Sequence, residues 1–579
     1  MSKQQKSTPL CAVFSPFGGI DTRLSHSGTA NSGDIVNFRL EENGHLYKRE
    51  GFRYVTSCPD NIRAVWTGIL NGKQRCLMLS SNSVISADLS TGNSSVLGKI
   101  GTTSGEAHFF YYRDALYLGD GNLVYSVSAY GVKQAEGYAP LVGKDWPTTV
   151  VGQGYEARNY LTRRARISYL IQEGFSAFLC TGDPLESIDA VYLNGKLLDP
   201  SQYQYDSLYK CITVPGLLQV GDRVLACFTY AESVMTEKTY ELFTCSRSSV
   251  FGGSDDCSAF FWNGDDSYTI YPSLFVDNES LAAAKSVFPD SSPLYFPEHR
   301  EFVLGDGRYP VTGFVSHYDR LLIFTKSSAW MAETDTLRSK TFSVTPINTH
   351  AGCRSLDGVT MTKNSPISVG QNTVYRWTSD TDERNECNAV TISSAIHDLL
   401  DDDFFEHAIA YRNEKRGELW FHAKNVDDTV WVYGVTNAQW YRFTGIRADG
   451  FFDFLGQTFF WQGQDLFVFD QSCYEDVIDA SGTKVPITAV FQSNLLEYDT
   501  ERKKRSAYLI FRGDCADGTI RVTLQGNDVL PRSCCFTDTG EHTVEKRRLP
   551  SGRFSYATLT LTATGGARQA VHSLVSKVL

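Results

Sequence analysis

A hairpin that recurs through most of the sequence is the feature that most constrains its fold. The unit is a short apolar strand, a polar tip and a second strand rich in aromatic or β-branched residues. Copies lie at residues 76–79 with 84–85, 116–118 with 123–125, 322–324 with 329–331, 367–369 with 373–377, 419–421 with 430–433, and 459–461 with 466–469. A degenerate copy lies around Val250-Phe251 and Phe260-Phe261-Trp262. Between residues 77 and 116, and again from 322 to 459, successive copies are spaced by roughly 40–50 residues, the period of a propeller blade, while the gap from 116 to 322 holds the degenerate copy and an interruption. A lone hairpin cannot bury both faces, so the copies must pack on one another, and a ring of them leaves only short, protected edges. The repeat predicts an all-β chain with a β-propeller of about seven blades, with six or eight as the neighbouring counts. Two stacked sandwiches made from the same hairpins are the alternative.

Interruptions of the repeat divide the chain. Residues 1–60 read as an N-terminal arm with the first propeller strands, 61–160 as blades, 161–238 as a small inserted β-domain, 239–484 as the remaining blades, and 485–579 as a C-terminal β-sandwich. Within the insert, Asn194-Gly195 between two apolar runs predicts a type I′ hairpin, because both residues tolerate φ > 0. In the last segment Ile520, Val522 and Leu524, then Ala557, Leu559 and Leu561, alternate with polar residues, as strands with one buried face do. Composition agrees: 35 Phe, 30 Tyr and 47 Gly beside 5 Met favour short strands and tight turns over a helical bundle. Charged residues at 21% are too few for a disordered chain, and the net charge of −12 argues against a dedicated nucleic-acid binder.

The polar start, Met1-Ser2-Lys3-Gln4-Gln5-Lys6, lacks the apolar stretch of a secretory signal, so synthesis and retention in the cytosol, or assembly there, is expected. No run approaches the roughly 18 apolar residues of a membrane span. The 14 cysteines contain no C-x-x-C pair and are expected to be mostly reduced core thiols.

The search for catalytic chemistry returns negatives. G-x-S-x-G, H-E-x-x-H and the P-loop are missing, and so are the Ser-x-Asp-x-Gly-x-x-Trp turn repeat of sialidase-like propellers and the tryptophan–aspartate repeat. Glycine pairs at Gly119/Gly121, Gly152/Gly154 and Gly305/Gly307 read as turns. Acidic clusters at Asp255-Asp256, Asp265-Asp266, Asp380/Asp382/Glu383 and Asp401-Asp402-Asp403 miss the calcium-loop spacing and read as solvated loops or helix caps. A short helix is expected around Ala395 to Leu400, with His397 exposed or capping. No cofactor, no metal and no enzymatic activity are expected. Two basic runs, Arg163-Arg164-Ala165-Arg166 and Arg502-Lys503-Lys504-Arg505, are candidate interface patches; the plainer reading is strand edges kept soluble by charge.

The N-terminal segment carries a more specific signal. Phe17-Gly18-Gly19-Ile20-Asp21 precedes a strand with Asn37-Phe38-Arg39, then Gly44-His45-Leu46-Tyr47-Lys48-Arg49-Glu50-Gly51-Phe52. This resembles the opening of bacteriophage tail proteins of the β-propeller type, which include tail nozzle, hub and tail-tip proteins. Gly18, Gly19, Asp21, Asn37, Arg39, Gly44, Lys48, Arg49 and Gly51 carry the resemblance, with weaker likeness at residues 296–324 and in the last module. The resemblance implies a non-enzymatic virion component, made in the host cytoplasm, that forms a sixfold homo-oligomeric ring with other tail or connector proteins around a channel for DNA. A rival reading is a propeller that binds or cleaves host-surface glycans, with Trp262, Trp330, Trp377, Trp420 and Trp440 as stacking candidates; core packing explains most of those tryptophans better.

Overall fold

In the computed structural model the described residues are 10–23, 29, 31–89, 91, 93–113, 115–147, 155–172, 178–216, 218–251, 258–262, 267–318, 320–334, 342–378, 388–498, 502–515, 518–527, 529–537 and 544–579. They form an all-β structure of many small sheets, with short helices at Glu237–Phe243, Asn278–Lys285 and Asp402–His407. No helix among them is long and apolar enough to cross a membrane.

Seven antiparallel four-strand meanders stand out among the described residues. Their first strands are Ile62–Leu70, His108–Tyr112, Arg247–Phe251, Val311–His317, Val359–Met361, Ala408–Asn413 and Gly450–Phe454. The first strand of each meander contacts the first strand of the next, and that of the seventh contacts that of the first. Three strands of the seventh meander are consecutive, but its fourth, Gly51–Ser57, comes from near the start of the chain and pairs with Asp465–Asp470. The ends of this long segment are therefore fastened within one sheet.

The hairpins legible in the sequence are the second and third strands of six meanders. These strands have neighbours on both sides and are covered on both faces, so they are the most continuously apolar: Glu418–Ala423 and Val430–Gly434 are buried at every position. In the third meander the legible hairpin is the first and second strands, Arg247–Phe251 and Ser258–Trp262.

The N-terminal arm divides differently from the sequence expectation of first propeller strands. Leu10–Phe14 and Leu46–Lys48 both pair with the last strand of the chain, Ala570–Val578, and Phe38–Leu40 pairs with Leu46–Lys48. Ser32–Val36 pairs with Ala489–Ser493 and bridges in parallel to Arg442 in the sixth meander. Only Gly51–Ser57 serves as one of a meander's four strands. The physical reason is burial: Phe14, Phe17, Ile35, Phe38 and Leu46 complete a core with Phe491, Phe511, Ile520, Val522, Leu561 and Leu574. The C-terminal module is thus two facing sheets, Ser506–Asp514 and Ala570–Val578 in one and Gly518–Gly526 and Ala557–Gly565 in the other, finished by Leu10–Phe14, Ser32–Val36, Phe38–Leu40 and Leu46–Lys48.

The insert also starts earlier than residue 161, because Leu141–Pro147 lies parallel to Arg164–Leu170 in its five-stranded sheet. Its own core holds Ile167, Tyr169, Val191, Ile212 and Phe228. Leu185–Leu193 turns into Lys196–Leu197 through Asn194 at φ 50° and Gly195 at φ 82°, the backbone that the type I′ expectation requires.

Candidate functional site

The family-like residues of the N-terminal arm gather at the junction between the sandwich and the sixth and seventh meanders. Arg39, 6% exposed, donates from Nε to Glu418 Oε1 at 2.5 Å, pairs with Glu50, and lies over the Phe443 ring at 5.3 Å. Glu418 also accepts from Trp420 Nε1 at 2.8 Å and from the Tyr441 hydroxyl at 2.7 Å. Burial opposes ionisation of Glu50, yet Arg39 and Arg416 outweigh it and hold the carboxyl down at about 2. Burial likewise pushes the Tyr441 phenol well up, reinforced by Glu418.

A second knot forms on Arg49, which is 1% exposed. Its guanidinium donates to both Asp476 oxygens at 2.9 and 2.6 Å, to Asn37 Oδ1 at 2.9 Å and to the Thr444 carbonyl at 2.9 Å. Asn37 holds φ 54°, and its amide donates to Thr444 Oγ1 at 2.9 Å and to the Thr488 carbonyl at 3.0 Å. The Gly19 N–H donates to Gln439 Oε1 at 2.7 Å, Ser32 Oγ donates to the Gly18 carbonyl at 2.5 Å, and Asp21 takes a bidentate contact from Arg23. Gly44 sits at φ +73°, where a Cβ would lie 2.1 Å from Pro16 Cβ. Gly19, Asn37, Arg39 and Arg49 therefore fasten the arm to distant parts of this chain.

Lys48 is the odd member. It is 2% exposed, and its ammonium donates to the Gly565 carbonyl. Burial, with Arg49 alongside, lowers its pKa to about 8. A lysine held below its unfolded value near 10.5 costs stability while both states are charged, and that cost is relieved as pH rises from about 8. The stability of the native chain minus that of Lys48→Met is expected to grow by about 2 kcal/mol between pH 8 and pH 10. Buried thiols such as Cys76 and Cys353, which burial raises to about 12, pull the other way in both proteins and cancel in the difference. Paired denaturation series at fixed pH steps measure it.

The two basic runs do not make continuous patches. Arg166 is 4% exposed and donates to the Ala139 carbonyl and the Tyr138 hydroxyl, while Arg163 pairs with Glu186 and Arg164 with Asp290. Lys504 is 3% exposed, its ammonium donating to the Glu497 carbonyl at 2.5 Å; Arg502, Lys503 and Arg505 stay on the surface. Part of each charged run is nevertheless buried, where backbone carbonyls and ring faces receive it.

Of the tryptophans considered for sugar stacking, Trp377, Trp420 and Trp440 are buried, with Nε1 donating to Ser368 Oγ, Glu418 and the Ile392 carbonyl. Trp330 is half-buried, and the side chain of Trp262 lies outside the described residues. Asp401 caps the helix Asp402–His407 by accepting from the Phe404 N–H at 2.8 Å. The other acidic clusters, at residues 255–256, 265–266 and 380–383, and the Gly152/Gly154 pair lie outside the described residues.

A cavity of about 760 Å³ is the feature that motif reading missed. All seven first strands, or the residues just before them, contribute to its wall. Arg247 reaches from the third meander to Glu106 before the second, at 3.2 Å, and to Asp357 before the fifth, so an ion-pair chain crosses the opening. Arg63 is spent on the loop carbonyls of Ser81, Thr102, Ser104 and Gly105. His108 donates or accepts at Ser248 Oγ, 2.9 Å away, and burial, with Arg247 beside it, lowers its pKa to about 3, so the ring is neutral. Half-buried Phe109, Phe451 and Trp461 complete the wall. These residues come from segments spread between Asn61 and Trp461, without a shared local pattern.

No family model and no curated protein matches the chain. Solved structures with partial likeness include the AfRom2 CNH domain, at 5% identity and TM-score 0.36 over 72% of this chain and 99% of that one. An exo-β-1,3-galactanase from Phanerochaete chrysosporium is similar at 8% identity and TM-score 0.22, over 57% of this chain and 95% of the other. The extracellular domain of a one-component system from B. thetaiotaomicron reaches 10% identity and TM-score 0.24, over 93% and 82%. Likeness at these values carries no inference about function.

Proposed function

We propose that this chain is a non-catalytic structural protein of a bacteriophage tail, a seven-bladed β-propeller with a flanking sandwich, copies of which form a ring around the genome-delivery channel. The observation that supports this reading is the use made of the family-like motif. Asn37, Arg39, Lys48 and Arg49 all spend their polar groups on internal partners, so the motif builds a rigid joint between two bodies. A joint of that kind suits a subunit that must keep one shape while neighbours press on both bodies, and a head-to-tail contact between such subunits closes into a ring when the rotation allows. The net charge of −12 favours passage of DNA without adhesion wherever acidic faces line the lumen.

Mass spectrometry of density-purified particles from the source culture tests the reading. About six or twelve copies per particle, the counts that cyclic or doubled sixfold symmetry demands, are expected. Absence from particles would overturn it. The glycan-binding rival keeps one specific observation, the half-buried Trp461 and Phe451 on the cavity wall. Binding to a glycan array that is lost in Trp461→Ala favours the rival.

A further inference from the structure

Two cysteines of the inserted domain face each other across a strand pair. Phe178–Cys180 runs antiparallel to Cys211–Thr213, and Cys180 stands directly opposite Cys211. The adjoining pair is hydrogen-bonded, since the Thr181 N–H donates to the Lys210 carbonyl at 3.0 Å. Bonded and non-bonded pairs alternate along an antiparallel ladder, so Cys180 and Cys211 occupy a non-hydrogen-bonded position. The Cys180 carbonyl agrees, turned from this partner to accept the Tyr169 hydroxyl at 2.8 Å. At such positions the Cα atoms lie about 4.5 Å apart and both side chains leave the sheet on one face, inside the range of roughly 4.4–6.8 Å that a disulfide accepts. Both thiols are free; Cys180 is half-buried and Cys211 buried.

We propose that Cys180 and Cys211 are a redox modification site that closes to a reversible cross-strand disulfide at the expense of a small-molecule disulfide such as oxidised glutathione. Cys180, the more accessible, loses its proton and attacks one oxidant sulfur, forming a mixed disulfide and expelling one thiolate, which takes up a proton. Cys211 then loses its proton and attacks Cys180 Sγ, expelling the second thiolate, which is protonated in turn. Two protein thiols are oxidised, one external disulfide is reduced to two thiols, and no other oxidant enters. Burial, with Cys180 beside it, raises the Cys211 thiol, in keeping with its place as the second, resolving sulfur.

The bond sits at the base of a displayed tip. Between Gln204–Asp206 and Cys211–Thr213, Asp206 Oδ1 accepts the N–H groups of Leu208 and Tyr209 at 2.9 and 3.1 Å, and these side chains are 80% and 70% exposed. Oxidation would tie Phe178–Cys180 to this hairpin and stiffen what carries the tip.

The test is equilibration of the full chain in glutathione buffers of graded poise, followed by alkylation, digestion and mass spectrometry. A linked Cys180–Cys211 peptide pair, lighter by two hydrogens and reopened by dithiothreitol, is expected, and is absent from Cys180→Ser and Cys211→Ser. Hydrogen exchange across residues 204–213 should slow at least about tenfold in the oxidised form. Full alkylation of both thiols in the most oxidising buffer would overturn the proposal. So would glutathione retained on Cys180 without attack by Cys211, or linkage of either thiol to exposed Cys11 or Cys535 instead.

Discussion

Glu418→Ala is expected to destabilise the junction by about 3–5 kcal/mol, the cost of breaking a buried ion pair from one side. The substitution strips Arg39 of its bidentate partner and leaves Glu50 as the sole carboxylate on a guanidinium that is 6% exposed. It also orphans the Trp420 indole N–H and the Tyr441 hydroxyl, both buried donors whose desolvation is then uncompensated. Unfolding of a chain with several bodies is not a single transition, so the measurement is hydrogen exchange at Phe38–Leu40 and Glu418–Ala423 together with a denaturant series followed by indole fluorescence. The double variant Arg39→Met/Glu418→Met should recover part of the loss, because apolar residues of similar size replace a buried ion pair at little cost. It should not recover all, because Trp420 and Tyr441 still lack an acceptor. A loss under about 1 kcal/mol for Glu418→Ala would mean that water reaches this network. Acid gives an independent check: Glu50 is held at about 2 against an unfolded value near 4.5, so its contribution is complete above 4.5 and is lost as pH falls through about 2.

How much of this was legible in the sequence follows from where each signal is stored. The middle strands of the meanders announce themselves because both faces are buried, as at Leu77-Met78-Leu79 and Leu116-Tyr117-Leu118, all fully or nearly fully buried. Outer strands such as Asn93–Lys99 and Gly131–Gln134 are largely exposed and read as polar loop, so hairpins were visible where the unit has four strands. The Asn194-Gly195 turn was readable because its chemistry is local. Membership of the N-terminal strands in the sandwich was not, since the register of Leu10 with Val578 is settled by packing between residues far apart in sequence. The motif residues could be picked out but not their partners: nothing near Arg49 points to Asp476, and nothing near Arg39 points to Glu418. The basic runs misled because charge alone predicts exposure, while Arg166 and Lys504 have carbonyls and aromatic rings waiting inside. The cavity wall takes contributions from all seven meanders, so it exists only once they are assembled.

Gly51→Val is expected to release the closing strand of the seventh meander. A Cβ at residue 51 would lie 2.0 Å from the Glu475 carbonyl oxygen and 2.7 Å from its carbon, contacts with backbone that no rotamer change relieves. That backbone cannot retreat cheaply, because Glu475–Val477 pairs with Lys484–Pro486 and the Gly51 N–H donates to the Cys473 carbonyl at 2.7 Å. The strain falls where Arg49 meets Asp476 and where Gly51–Ser57 takes up its register with Asp465–Asp470. A penalty of about 4 kcal/mol or more is expected, in the class of backbone clashes and broken buried networks. The readout is position-specific: exchange should accelerate and protease sites should open in 51–57 and 465–470, while Gly518–Gly526 and Ala557–Gly565 in the sandwich stay protected. Gly72→Ala is the control, since at φ +71° with nothing within 4 Å of its Cβ it should cost only about 1 kcal/mol. Unchanged protection of 465–470 in Gly51→Val would refute the closing role of the strand. Opening confined to the seventh meander and its two neighbours would show that closure is held locally, by one strand supplied from the arm that also completes the sandwich.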